Sequence, residues 1–321
     1  MNLLEKSVGG MVEGFCLIKS ADARTSKNGK LYLDLTLSDR GGEISAKLWD
    51  YIPELHTGYV GGSVVKVRAA VTEWQGSKQL KVERIRLATE ADGVDMSELV
   101  SSAPVPGEKL YQNLTDTVRA FSDLHLQRIV LHLLEQNKQK LLVAPAALRM
   151  HHAFLAGVLY HTSSMLACAK AVCSVYTWLD ADLVFAGIIL HDLAKVRELE
   201  YNDAGVPSGY TAWGNLVGHL VGGALLLENA ARECGTPDEL KMKLQHMVIS
   251  HHGKPEHGAA VVPMFPEAEV VSHIDELDAT LFQMSKTLAE VQPGECSQRA
   301  FGLDRKLYRQ DKDEEYNPKL F

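Results

Sequence analysis

The chain has 321 residues, 46% apolar and 23% charged, with a net charge of −8; that is ordinary for a soluble globular protein and long enough for two or three domains with buried cores. No apolar run reaches the roughly 18 residues that a bilayer span needs. The opening Met-Asn-Leu-Leu-Glu-Lys has no basic stretch leading into an apolar one, and the five cysteines (Cys16, Cys168, Cys173, Cys234, Cys296) form no CxxC pair, so a cytoplasmic protein without a disulfide framework or thiolate zinc site is expected.

The charge is unevenly divided. Residues 1–88 carry 13 Lys and Arg against 10 Asp and Glu, a net of +3, and the remainder carries 20 against 31, a net of −11. An acidic module can still act on a polyanion when bound cations reverse its local field.

Residues 11–88 read as strands. Leu31, Leu33, Leu35 and Leu37 alternate with Lys30, Tyr32, Asp34 and Thr36, the period of a half-buried strand, and Asn28-Gly29 before them is a hairpin signal. After a turn at Asp39-Arg40-Gly41-Gly42, Ile44, Ala46 and Leu48 face one way and Ser45, Lys47 and Trp49 the other. Residues 63–74 form another strand, and Gln75-Gly76 turns it into a last one ending near Leu87. Four or five strands in so short a span, with an irregular piece around 50–60, suit a Greek-key barrel of the OB type. Opposite the apolar face lie Lys30, Tyr32, Lys47, Trp49, Lys66 and Arg68. Aromatic rings stack on bases and cations track phosphates, so a nucleic-acid surface is one reading. A plain solvated sheet face is the other, and small barrels also bind proteins and sugars.

Residues 89–108, with Ser101-Ser102-Ala103-Pro104-Val105-Pro106-Gly107, have linker composition. From 109 to about 292 the pattern is helical, and a polar tail follows over 293–321. Thr236-Pro237-Asp238-Glu239 reads as a capping box and Phe265-Pro266-Glu267 as another helix start. The expected architecture is therefore an N-terminal all-β OB-like barrel followed by an all-α domain.

The helical part carries an ordered series: His161, then His191-Asp192, His219, His251-His252 and Asp275. The apolar run Leu183-Val184-Phe185-Ala186-Gly187-Ile188-Ile189-Leu190 ends abruptly in His-Asp, a pair that is costly to bury without a partner. A metal ion satisfies both, since imidazole and carboxylate are ligands of zinc, iron and manganese. Lys195 falls on the helix face of His191 and Asp192, where an ammonium would stabilise a phosphate oxyanion. Gly218, Gly222 and Gly223 around His219 leave room for another helix, and Asp275 shares a stripe with Ala268, Val271, Asp278 and Phe282. Taken one by one these histidines are ordinary core residues; the series as a whole points to a metal centre. His125, His132, His246, His257 and His273 read as surface or core residues, and His151-His152 as a pair that supports the centre or touches substrate.

The series resembles the HD phosphohydrolase superfamily. His151-His152-Ala153-Phe154, Gly157-Val158-Leu159-Tyr160-His161-Thr162, Ile249-Ser250-His251-His252-Gly253-Lys254-Pro255-Glu256, Pro263-Met264-Phe265-Pro266-Glu267-Ala268-Glu269 and Ile274-Asp275-Glu276-Leu277-Asp278-Ala279 are similar to the YhaM-type 3′→5′ exoribonucleases. Leu33-Asp34-Leu35-Thr36-Leu37-Ser38-Asp39 and Ala46-Lys47-Leu48-Trp49-Asp50 resemble that family's OB domain. The resemblance implies one divalent ion on His161, His191, Asp192 and Asp275, a second on His219, His251 and His252, and Lys195 as the catalytic lysine. It further implies manganese (with iron or magnesium as alternatives), a homo-oligomer, and release of nucleoside 5′-monophosphates from single-stranded RNA, with single-stranded DNA as a further substrate. Two positions depart from the family: Ala156-Gly157, where paired glycines are expected, and His257, where a larger aromatic is expected. Two rival functions are a nucleotide or cyclic-nucleotide phosphohydrolase and a non-catalytic nucleic-acid-binding factor. The Gly-Tyr-Pro signature of the cyclic-dinucleotide branch is absent after His251-His252.

Overall fold

A computed structural model describes residues 7–26, 28–39, 42–74, 76–94, 99, 103–148, 152–202, 205–289, 291–300 and 302–311. Arg40, Gly41, Gln75, Ser101, Ser102 and His151, all invoked above, lie outside them. The chain divides into two compact units, Met1–Ser102 with Tyr201–Ser208, and Ala103–Glu200 with Gly209–Phe321.

The first unit is a closed barrel of β1 (Met11–Thr25), β2 (Leu31–Asp39), β3 (Gly42–Leu48), β4 (Val64–Trp74) and β5 (Ser77–Leu87) in the order β1-β2-β3-β5-β4. All neighbours are antiparallel except β3 and β5, which pair in parallel through Ser45–Gln79, Ala46–Leu80 and Lys47–Lys81. The alternation of the sequence decides what goes inside. Leu33, Leu35, Leu37, Ile44, Ala46 and Leu48 fill the barrel with Val65, Val67, Val71 and Leu80, while Leu31, at the open start of β2, stays 43% exposed. Asn28-Gly29 makes the expected turn, with Gly29 at φ 75°, a conformation that costs glycine nothing. Residues 49–63 are irregular.

The second unit is helical: α1 (Gly107–Arg119), α2 (Leu124–Leu141), α3 (Gly157–Val175), α4 (Ala181–Leu190), α5 (Lys195–Glu198), α6 (Ala212–Leu216), α7 (Gly218–Cys234), α8 (Asp238–Ser250) and α9 (Pro266–Ala289). The short strands β6 (Leu199–Tyr201) and β7 (Pro207–Tyr210) pair between α5 and α6. The apolar α4 runs through the middle, packed on α3, α8 and α9. Gly157 is dictated by space, because a Cβ there would stand 2.0 Å from the His152 carbonyl oxygen. Ala156, the departure from the family pattern, holds a left-handed φ of 58°, which explains why glycine suits that position.

Two helix boundaries differ from expectation. Thr236 does not cap α8: Pro237 occupies the N-cap without a side-chain bond, and the Thr236 amide instead donates to the Ala231 carbonyl (2.9 Å) behind the left-handed Gly235 that ends α7. The helix also does not run from His191 to Lys195. α4 stops at Leu190, and tight bonds from Leu193 N to Leu190 O and from Lys195 N to Asp192 O carry the chain round. Among the described residues, no helix is long and apolar enough to cross a membrane.

Candidate metal centre and nucleic-acid surface

Five elements deliver the histidine–aspartate series to one place. His161 comes from the buried first half of α3, His191 and Asp192 from the turn after α4, His219 from the first turn of α7, His251 and His252 from the end of α8, and Asp275 from α9. The ligand atoms of His161, His191 and Asp192 lie within 4.8 Å of one another, as do those of His191, His251 and Asp275, and those of His219, His251 and His252. Atoms about 2.1 Å from one ion stand roughly 3–4 Å apart, so each trio has the right spread.

Asp192 is central. Its Oδ2 is 3.4 Å from His191 Nε2 and 4.0 Å from His161 Nε2. Its Oδ1 turns the other way, 3.6 Å from His219 Nε2 and 3.7 Å from His251 Nε2. The imidazoles are oriented from behind. His191 Nδ1–H donates to the Ile188 carbonyl (2.7 Å), His251 Nδ1–H to the Val248 carbonyl (2.7 Å), His161 Nδ1–H to Asp278 Oδ2 (2.7 Å) and His219 Nδ1–H to Glu198 Oε1 (2.9 Å). With Nδ1 spent as a donor, Nε2 is the nitrogen each ring turns to the centre, the arrangement that metal-ligating histidines adopt.

The inward atoms are left wanting. His191 Nε2, Asp192 Oδ1 and His251 Nε2 are buried with no hydrogen-bond partner, which buried polar atoms rarely tolerate. Burial pushes the His251 pKa well below its ordinary value, so the ring is neutral. Burial works the same way on His161, but hydrogen bonds and charge from Asp275 and Asp278 outweigh it and raise that pKa to about 10. His161 Nε2 lies 3.0 Å from Asp275 Oδ1, and two carboxylates against one ring call for a positive charge between them. A proton supplies it in the bare site, and a divalent cation fits the same demand. Asp192 is held well below the usual carboxylate range: desolvation opposes this and is overcome by the Lys195 ammonium and His191. Lys195 Nζ sits 2.6 Å from Asp192 Oδ2 and stays charged, its own burial outweighed by that carboxylate. The donor set and the orphaned atoms fit divalent metal.

A cleft of about 180 Å³ opens onto the centre, lined by His251, His252, Asp275, Ser272, Glu276 and His257. His257, the second departure from the family pattern, is thus part of the wall of this cleft. His132 bonds Glu233, His246 accepts from the Met264 amide and His273 pairs with Glu269, all outside the centre. Sequence reasoning passed over Asp278 and Glu198 as supports. Asp278 was visible as an acid three residues after Asp275. Glu198 carried no signal, because its partner lies 21 residues on.

On the barrel, Tyr32 and Trp49 lie with ring centroids 4.7 Å apart, and Lys47 Nζ stands 5.2 Å from the Tyr32 ring. Lys47 also reaches Asp34 at 3.3 Å. Lys66 and Arg68 line a separate groove of about 560 Å³ with Arg84, Arg86 and His56. Asp50 borders both this groove and the hollow beside Lys47, Trp49 and Lys81. Lys30 lines neither, and its ammonium pairs with Asp50 at 2.9 Å. Arg84, Arg86 and Lys81 add cations beyond the residues read from sequence, but Glu13, Asp50 and Glu83 share the groove, Arg68 pairs with Glu83 at 3.6 Å and Arg86 with Asp92 at 2.7 Å.

A known family model matches each part of the chain. Residues 158–280 match the HD domain family and residues 7–88 the OB-fold nucleic acid binding domain. The second OB-fold domain of replication protein A from Methanococcus maripaludis is similar over 27% of this chain and 92% of its own, with 17% identity and a TM-score of 0.23. The 3′-5′ exoribonuclease YhaM of Geobacillus sp. (strain WCH70) is 40% identical over 306 residues, 95% of this chain and 94% of that protein. With that identity running through both domains, the chain belongs to the family of the 3′-5′ exoribonuclease YhaM.

Proposed function

We propose that this protein is a divalent-metal-dependent exoribonuclease that shortens single-stranded RNA from its 3′ end and releases nucleoside 5′-monophosphates. The observation that carries the reading is the set of imidazoles whose Nδ1 atoms are tied back while their Nε2 atoms converge on Asp192. His161, His191, Asp192 and Asp275 would hold one ion, and His219, His251, His252 and the far oxygen of Asp192 a second. Divalent ions there supply acidification of a water and Lewis-acid stabilisation of the phosphate. Lys195 keeps its ammonium beside Asp192 and meets the charge growing on the phosphate oxygens. Asp278 and Glu198 hold the rings in register from behind.

The barrel, residues 1–88, binds the strand, and the helical part, 109–292, hydrolyses it. Tyr32 and Trp49 offer rings to unpaired bases, while Lys47, Lys66 and Arg68 follow phosphates, which is why a single strand is preferred over a duplex. The proposal extends to manganese as the ion, single-stranded DNA as a second substrate, and a homo-oligomer in the cytoplasm; its free thiols suit a reduced compartment.

The test is end-labelled single-stranded RNA and DNA incubated with the pure protein in EDTA or with added manganese. A one-nucleotide ladder receding from the 3′ end, abolished by EDTA, is expected. The double variant His191→Ala, Asp192→Ala is expected to bind RNA without cutting it. Internal cuts, or undiminished cleavage by the double variant, would sink the reading.

A further inference from the structure

We propose that His152 is a positioning residue for the metal centre, acting through Asp278 to hold His161 with its Nε2 aimed at a divalent ion. This rests on the metal-dependent reading above and adds a residue that the ligand set does not contain.

His152 lies between α2 and α3 and is 1% exposed. Its backbone is left-handed, with φ 52°, a conformation that residues other than glycine seldom adopt unless their surroundings hold them there. The surroundings do so. The His152 carbonyl accepts from the Ala146 amide (3.1 Å) and the Phe154 amide (2.9 Å). It also presses against Gly157, where a Cβ would come within 2.0 Å of it. The loop is thereby locked onto the first turn of α3, the helix that carries His161.

The ring is equally confined. Its centroid lies 4.0 Å from that of Phe282, 5.3 Å from Tyr160 and 5.7 Å from Phe154. Within this aromatic cage its Nε2–H donates to Asp278 Oδ2 at 2.8 Å, and the same oxygen accepts His161 Nδ1–H at 2.7 Å. At those lengths the contacts are hydrogen bonds, shorter than the spacing of two ligands round one ion. Two donors converging on one oxygen, from two directions, fix where that oxygen stands. Asp278 can then hold the His161 ring, whose opposite nitrogen meets Asp275. With the first donor gone, a buried carboxylate would keep a single partner and be free to turn, and the His161 ring would turn with it.

The measurement is calorimetric titration of the metal-stripped full-length protein with Mn²⁺. His152→Phe preserves the aromatic packing and deletes the donor, while His152→Gln keeps an amide N–H at similar reach. His152→Phe is expected to weaken Mn²⁺ binding about 10–100-fold, as loss of groups behind a metal ligand does, with His152→Gln within about 3-fold of the parent. Asp278→Asn is expected to weaken binding on the same scale, and adding His152→Phe to it should cost less than about 3-fold more, because both changes break one link. That lack of additivity is what a merely structural role would not produce. Parental affinity in His152→Phe or in Asp278→Asn, or full additivity of the two, overturns the proposal; if His152→Phe does not fold, Asp278→Asn and His152→Gln decide it. A parental protein that takes up no Mn²⁺ overturns the metal reading itself, and this proposal with it.

Discussion

Removing the divalent ions is expected to lower the melting temperature of the helical unit by an amount that the bare site sets. His191 Nε2, Asp192 Oδ1 and His251 Nε2 are buried without a partner. Each unsatisfied group costs about 1–3 kcal/mol, so ligation of three relieves about 3–9 kcal/mol. Water entering the emptied cleft recovers part of this, which favours the low end. Mass action gives a similar figure: an ion at roughly a thousand times its dissociation constant adds about 4 kcal/mol. In a unit of about 200 residues, each kcal/mol moves the midpoint by about 2–4 °C, so 3–4 kcal/mol corresponds to roughly 6–16 °C. Scanning calorimetry of stripped protein in EDTA and in excess Mn²⁺ reads this directly. The transition of the helical unit should rise while that of the barrel stays put, and Asp192→Asn should lose most of the shift. Equal midpoints with and without Mn²⁺ would refute the reasoning.

Lys195→Met is expected to lower kcat about 10²–10³-fold, the usual loss when a group facing developing charge is removed. Mn²⁺ affinity should not fall with it, since a cation 2.6 Å from Asp192 Oδ2 opposes the metal; weakened titration with unchanged kcat would contradict the role. Trp49→Ala should weaken binding of a single-stranded RNA oligomer by about 1–3 kcal/mol, the worth of one stacked base. Fluorescence anisotropy in EDTA measures it, and hydrolysis of bis(4-nitrophenyl) phosphate should be unaffected. Gly157→Ala forces a Cβ to within 2.0 Å of the His152 carbonyl oxygen and 2.9 Å of the Ala146 nitrogen; thermal or urea unfolding should show a loss of about 1–3 kcal/mol or more.

Much of this molecule is legible from its residues, for identifiable reasons. Burial alternates through β3 and most of β2, so Leu33, Leu35 and Leu37 announce β2, and Ile44, Ala46 and Leu48 announce β3. β1 is harder to single out, because a register shift between Ile18 and Ser20 breaks its alternation. The metal centre stands out because ionisable groups sit inside an apolar helix (His161) or directly at the end of one (His191, Asp192), where burial without a partner is costly. The supports stand out less, Asp278 only by sharing the stripe of Asp275 and Glu198 not at all. Asp278 meets His161 across 117 positions of chain and Glu198 meets His219 across 21, and each is locally an ordinary helical acid. The early end of α4 is hidden for a related reason: no glycine or proline marks it, and the turn is made by backbone bonds behind His191 and Asp192. Thr236 misleads because one residue can serve either of two adjoining helices, and the left-handed Gly235 gives it to the earlier one.

In the barrel, β1 borders both β2 and β4 while β3 borders β5, so the ring of strands has no first or last member. An open sheet presents a row of unmatched amides and carbonyls that invites any extended chain to zip alongside. Here the ring is closed by the parallel pairing of β3 and β5 at Ser45–Gln79, Ala46–Leu80 and Lys47–Lys81. Among the described residues, each of the five barrel strands has a neighbour on both sides. What the closed ring leaves for contact is its outer wall, where the rings of Tyr32 and Trp49 and the Lys47 ammonium stand together.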